Sequence, residues 1–588
     1  MASFDRRQLV LAASPLNLIL LAVFFTGCAF ILSTPPFEGF DETAHYSSVQ
    51  LIADEGRIPV YGKDLIARDV NEYLTVGPDR YSSVPPFDES PNKSYKDVFM
   101  DEGGVDAMRS FINQPPKTPR KFEQGRSINW QAQHPPLSYI ALAPVYSLTK
   151  TLDWKAHLFW LRLACWVVAF AGLWIGVEAT ASFFKLDQAT LGPSSTFSDF
   201  DQTENQLAVP FMMACWPFLA PMFFVEMARL GNDSFCLLFA GISWAALLNY
   251  LKHRSTQSGV SRASFLLASA IGFGALTKAF FLPVAVGIGL LLSWHAISDL
   301  LRDIRGTSHQ SFLQQLARVL APVAVFGVTF LIIAGGWYAQ KYFSTGTITG
   351  SHDMASLKAS GGMSAADSGF SIFIFLNRLA SLYMSFVWAG TWSFVSMPRV
   401  LEAILSVLFA IPLVYYLQRV VRERPDKEIF TPGLLDAPIF MVAPVVVGLG
   451  YHAAVQVMLG PKGIVTPGYY LHIFATPIGF AFALGAIRLM ELRTGIFAVG
   501  RLLIVIFVLY AALFIVLAQF HQMTLFSGCS IKDPITRTYR ALECFGHAPL
   551  MMERLEILIF PKLALTFYAL GGGLFILAAW RAIKKSVE

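Results

Sequence analysis

The stretch 9–32, LVLAASPLNLILLAVFFTGCAFIL, runs without a charged residue and opens directly into 33–46, STPPFEGFDETAHY, which carries three carboxylates and an imidazole. An uncharged apolar run of roughly 20 residues is what a helix needs to cross the hydrocarbon core of a bilayer. Arg6 and Arg7 precede it, and the preference of Lys and Arg for the cytoplasmic side directs its exit outward. Residues 25–28, Phe-Thr-Gly-Cys, are a poor lipoprotein cleavage box because apolar residues continue past Cys28 to Leu32; the segment reads as an uncleaved anchor. The rest of the chain repeats the theme. Of 588 residues, 54% are hydrophobic and 14% charged, and the mean hydropathy is +0.51. A soluble domain carries about 25% charged residues, so a soluble globule and a disordered chain are both excluded. The net charge of +5 calls for no nucleic-acid partner.

About twelve apolar blocks of spanning length can be counted, which makes the expected fold an all-α polytopic membrane protein with a single domain over 1–588. Its basic residues lie in alternate loops, around Lys252, Arg305, Arg422, Arg493 and Lys584, as cytoplasmic loops require. That alternation closes only if 135–151, interrupted by Pro144, lies on the outer surface instead of spanning, with the next span near 161–184. Both termini are then cytoplasmic. The outer pieces are 33–155, a short turn at 229–233, 339–397 and 520–556. The first mixes Pro, Asp, Lys and Tyr, which suits short helices resting on the lipid surface. Of six cysteines, Cys28, Cys165, Cys215 and Cys236 lie in or beside spans, while Cys529 and Cys544 share one outer loop. On an oxidising face a bridge between those two would add about 3 kcal/mol.

Chemistry begins at the end of the first span. Asp41 and His45 are four apart, so a helix starting there places both on one face, with Asp41 at its electropositive end; Asp41 or Thr43 can equally be a plain helix cap. Charged residues at membrane depth are expensive and usually face a polar cavity. Asp233 follows Arg229 and Asn232 between two spans, and Lys278 closes 272–278, GFGALTK, as the sole charge of a long apolar stretch. A lysine there either faces such a cavity or snorkels from a hairpin tip. In 131–137, QAQHPPL, two prolines fix a turn after His134, a residue open to a site role or to plain solvation. No Cys/His pattern has the spacing of a zinc site.

These residues, in this order and on one side of the membrane, resemble the integral-membrane glycosyltransferases of the GT-C type, in particular the branch of protein O-mannosyltransferases and aminoarabinose transferases. The features that carry the resemblance are Asp41-Glu42 with His45, Tyr46 and Gly56-Arg57-Ile58-Pro59, then His134-Pro135-Pro136-Leu137, Asn232-Asp233 and Gly274 to Lys278. The resemblance implies transfer of a sugar from a polyprenyl-phosphate carrier to a lipid, glycan or protein acceptor at the outer face of a prokaryotic plasma (inner) membrane, with inversion. It also implies Asp41 as base, Glu42 as its partner or as a ligand of acceptor or metal, and Asp233 as the second acid. Lys278 and His134 face the carrier phosphate, and His45, Arg57, Tyr469, Tyr470 and His472 bind substrate. A divalent metal is a possible but not obligatory cofactor. One departure stands out: where such proteins often have Gly-Arg-Tyr, this chain reads Pro467-Gly468-Tyr469-Tyr470-Leu471-His472. The expected cation is missing, and Lys462, His472 or Lys278 must replace it. The stretch 385–392, SFVWAGTW, resembles a late outer-loop motif or forms an interfacial aromatic belt.

Two other classes fit part of the pattern. A transporter or flippase also needs intramembrane charges, but inverted repeats are lacking and the acids gather on one face. A surface-polysaccharide ligase would share the carrier and differ in chemistry.

Overall fold

The computed structural model describes residues 14–78, 94–191, 202–254, 259–305, 312–350, 370–393, 397–422, 433–459, 467–491, 497–529, 531–532, 539–540 and 547–587. Among these, ten helices are long and apolar enough to cross a membrane, from Pro15–Ser33 to Pro561–Ala582. Two shorter apolar helices, Ala208–Leu219 and Val260–Ala275, pack against their longer neighbours. The protein is an all-α polytopic membrane protein, as the apolar blocks require.

Close helix crossings rest on glycine. The helices Trp154–Leu191 and Asp233–Arg254 approach so tightly that a Cβ on Gly241 would collide with the Gly172 carbonyl oxygen, and one on Gly172 with that of Leu237. In lipid, where apolar burial does not drive helices together, such backbone proximity supplies the packing contacts. Gly485 meets the Pro412 carbonyl in the same way, between Arg399–Arg422 and Ala475–Glu491.

The broken block at 135–151 forms a short helix, Leu137–Thr149, too short to count among the ten spans, that packs on Glu42–Glu55 and against the start of the long helix Trp154–Leu191. The following span starts earlier than 161, at Trp154. The segment between the first two long spans differs from the expectation of helices resting on lipid: it has its own apolar core. Phe37 packs edge-on against Tyr46, Tyr73 and Trp154 at 5.1–5.7 Å between ring centroids. The Arg120 guanidinium lies 4.1 Å from the centroid of Trp154, and Leu65–Ala67 pairs antiparallel with Gln124–Ile128. These aromatics have no common periodicity in sequence and meet only through the tertiary fold.

Two loop boundaries shift. The span Leu313–Thr345 continues past 339 through a π-helical turn at Leu331–Gly335, and the helix Phe497–Phe526 continues past 520. Cys529 is disulfide-bonded; Cys544 and Lys462 lie outside the described residues. Cys28, Cys165, Cys215 and Cys236 are free thiols.

Candidate functional site

The loop that leaves the first span is held by two buried arginines and one buried glutamate. Arg162 donates to the carbonyls of Thr34 and Pro35 at 2.6 and 2.7 Å and grips Glu42 with both Nε and Nη2. Arg229 donates to the Phe40 carbonyl at 2.7 Å. Glu38 accepts from Tyr95, from Thr391 and from the backbone and hydroxyl of Ser393, which makes 391–393, at the end of the stretch 385–392, a clamp on this loop.

So anchored, the chain enters Glu42–Glu55 through Asp41 in the left-handed region, with φ +59°. Among non-glycine residues Asp and Asn tolerate this conformation best. The Asp41 side chain makes no capping bond; its carboxylate instead accepts 2.8 Å from the indole N–H of Trp130. Burial pushes its pKa above the usual 3.8, against the pull of Arg229, the Trp130 bond and Lys278.

Around it lies an ion network. Arg229 bonds Glu226 and, at 2.7 Å, Asp233; Lys278 Nζ reaches the other Asp233 oxygen at 2.7 Å. The bend 228–232 between the helices Met222–Met227 and Asp233–Arg254 turns Arg229 back onto carboxylates on both sides of it. Lys278 is therefore an enclosed ion-pair partner, not a snorkelling lysine. Its ammonium also lies 4.2 Å from the ring centroid of Tyr470, and Tyr469 stacks on Phe40 at 4.9 Å. His45 hydrogen-bonds Tyr139 at 2.9 Å rather than Asp41. Burial and then Arg229 hold its imidazole well below its ordinary value. His134 is pushed down to about 3 by burial and then by Lys278. Both imidazoles are neutral at physiological pH, so His134 can offer a phosphate a hydrogen bond but no charge.

The structure thus brings together Asp41, His45, His134, Asp233, Lys278, Tyr469 and Tyr470. Three expected site residues take other roles. Glu42 accepts four hydrogen bonds, from Arg162 Nε and Nη2 and from the amides of Gly39 and Leu230; it is saturated and has no acceptor site left for substrate or metal. Arg57 is exposed and pairs with Asp64 and Glu55. His472 is fully buried, stacks on Phe386 at 4.5 Å and bonds its carbonyl at 2.8 Å, so it cannot stand in for the missing cation. Sequence reasoning missed Glu226, Trp130, Tyr139 and Arg162. Glu226 carried the same signal as Lys278, a lone charge in an apolar run, whereas Trp130 had none. Among the described residues no group of three or more His, Cys, Asp or Glu is placed to hold a metal.

The acids differ in access. Glu42, Glu226 and Asp233 are 1%, 0% and 0% exposed, while Asp41 stays partly open. No protein-family model and no curated protein matches the chain. Among solved structures, ArnT from Cupriavidus metallidurans in the apo state aligns over 90% of this chain and 74% of its own, with 12% identity and a TM-score of 0.33. The same protein bound to undecaprenyl phosphate aligns over 87% and 75%, with 12% identity and a TM-score of 0.36.

Proposed function

We propose that the protein is a membrane glycosyltransferase that moves a sugar from a polyprenyl-phosphate carrier to an acceptor at the outer membrane face, with inversion at the anomeric carbon. The observation that carries this reading is the contrast between Asp41 and the other acids of the cluster. Glu226, its pKa also raised by burial, is fully enclosed and bonded twice by Arg229. Asp41 alone among these acids is partly open and receives a single side-chain hydrogen bond, and burial raises its pKa. Those are the properties of a general base. Asp41 takes the proton of the acceptor hydroxyl as its oxygen bonds to the anomeric carbon. The bond from that carbon to the carrier phosphate breaks, and its electron pair leaves on the phosphate. Asp233, neutralised by Arg229 and Lys278, is a positioning residue that sets the two cations in place. The buried carbonyl oxygens of Gln131, Gln133 and Asn232 have no hydrogen-bond partner, which suits them to sugar hydroxyls.

The test is transfer from a radiolabelled polyprenyl-phosphate sugar by purified protein and its Asp41→Asn form. Loss of about a hundredfold or more in turnover, with binding retained, supports the base role. Equal turnover by both forms overturns it. Movement of label across vesicles without a new glycosidic bond would assign the chain to transport.

A further inference from the structure

The charge balance of the cluster is unfavourable for an anion. Three carboxylates, Asp41, Glu226 and Asp233, face two cations, Arg229 and Lys278, and each of those cations is already bonded to a carboxylate. With both nearby imidazoles neutral, nothing in this set offers a phosphate an uncommitted positive charge.

Lys341 does. It lies on the helix Gly336–Thr345, directly after the π-helical turn Leu331–Gly335, a departure from α geometry frequent at functional sites. The helix is tied to the cluster: the Tyr338 hydroxyl donates 2.7 Å to the Ala275 carbonyl, and the next carbonyl, Leu276, receives the Leu137 amide at 3.2 Å. One short turn thus holds Lys278 on one side and anchors both His134-Pro135-Pro136-Leu137 and the Lys341 helix. Lys341 is three residues beyond Tyr338, on the same helix face. Phe343, 85% exposed, marks the face turned to lipid. Lys341 is half-buried, packs its ammonium 4.8 Å from the centroid of Trp337, and has no carboxylate partner among the described residues. It is close enough to His134 to oppose protonation of that imidazole together with Lys278.

We infer that Lys341 is the cation that receives the phosphate group of the ligand, a role for which the stretch 467–472 supplies no arginine or lysine among the described residues. The inference rests on the glycosyltransferase reading for the identity of the ligand as a lipid-linked phosphate, but its geometry asks only for a phosphate reaching the site from the membrane edge. A charge-assisted bond to phosphate is among the strong polar contacts.

Binding of undecaprenyl phosphate to the full-length protein in nanodiscs tests this, with Lys341→Gln, Lys341→Arg and the neutral polyprenol as comparisons and inorganic phosphate as competitor. The expected result is about a tenfold to hundredfold weaker affinity for Lys341→Gln, near-native affinity for Lys341→Arg, and polyprenol binding equal in all three. Competition by inorganic phosphate against the lipid identifies the phosphate group itself as what is held; its failure to compete, with the Lys341→Gln loss intact, identifies the lipid-linked form as the ligand. Unchanged affinity in Lys341→Gln, or wild-type protein that binds undecaprenyl phosphate no better than polyprenol, overturns the inference. Absence of sugar transfer with the Lys341 dependence of binding intact would sink the glycosyltransferase reading and leave this one standing.

Discussion

Adjacent residues at the head of one helix do opposite work. Asp41 is held by a single indole and kept open, whereas Glu42 is enclosed and saturated. Their substitutions should separate cleanly. Asp41→Asn keeps a residue suited to φ +59° and should unfold at the temperature of the parent while losing activity. Glu42→Gln leaves Arg162 buried without its counter-charge and should cost about 3–5 kcal/mol, read as a lower unfolding midpoint in detergent. The pH profile follows from the raised Asp41 pKa. The base form exists above that value and is lost as pH falls through it, so the acid limb of kcat/KM should lie above pH 3.8 and vanish from any residual Asp41→Asn rate. The acids and lysine of this site were legible as lone charges beside apolar runs. Trp130 and Arg162 were not, because their partners lie 89 and 120 residues away and no local pattern announces them. His472 was misread for a related reason: its neighbours in sequence are site tyrosines, but its ring turns the other way, into the helix core.

At the scale of elements, the spans were readable because lipid forbids unpaired backbone groups and so imposes long apolar helices. The layer between the first two spans was not, since its aromatic core obeys no period. Glycine at crossings was silent in sequence as well; only the contact separates Gly241 from Gly289, which has open space around its missing Cβ. Gly241→Ala should destabilise the bundle by about 1–3 kcal/mol. Gly289→Ala, in the helix Phe281–Arg305, should be neutral or stabilising by up to about 1 kcal/mol. Thermal unfolding of the two variants side by side checks the difference.

For the whole molecule, the ion network, the layer between the first two spans and the clamp 391–393 gather at one end of the bundle. The alternation of basic loops predicts that this end faces outward and that both termini face the cytoplasm. Single cysteines placed at exposed Lys63 and at exposed Lys252, in a background whose free cysteines Cys28, Cys165, Cys215 and Cys236 are replaced, should therefore react with a membrane-impermeant maleimide from opposite sides of the membrane; labelling of both from one side would refute the orientation. The clamp has a consequence for biosynthesis. Glu38 emerges from the ribosome early, yet its bonds go to Thr391 and Ser393, 353 and 355 residues later. A nascent chain with five of its ten spanning helices already made still lacks those contacts, so the segment after the first span must wait, unlatched, until residues 391–393 have been translated before Asp41 meets its final surroundings.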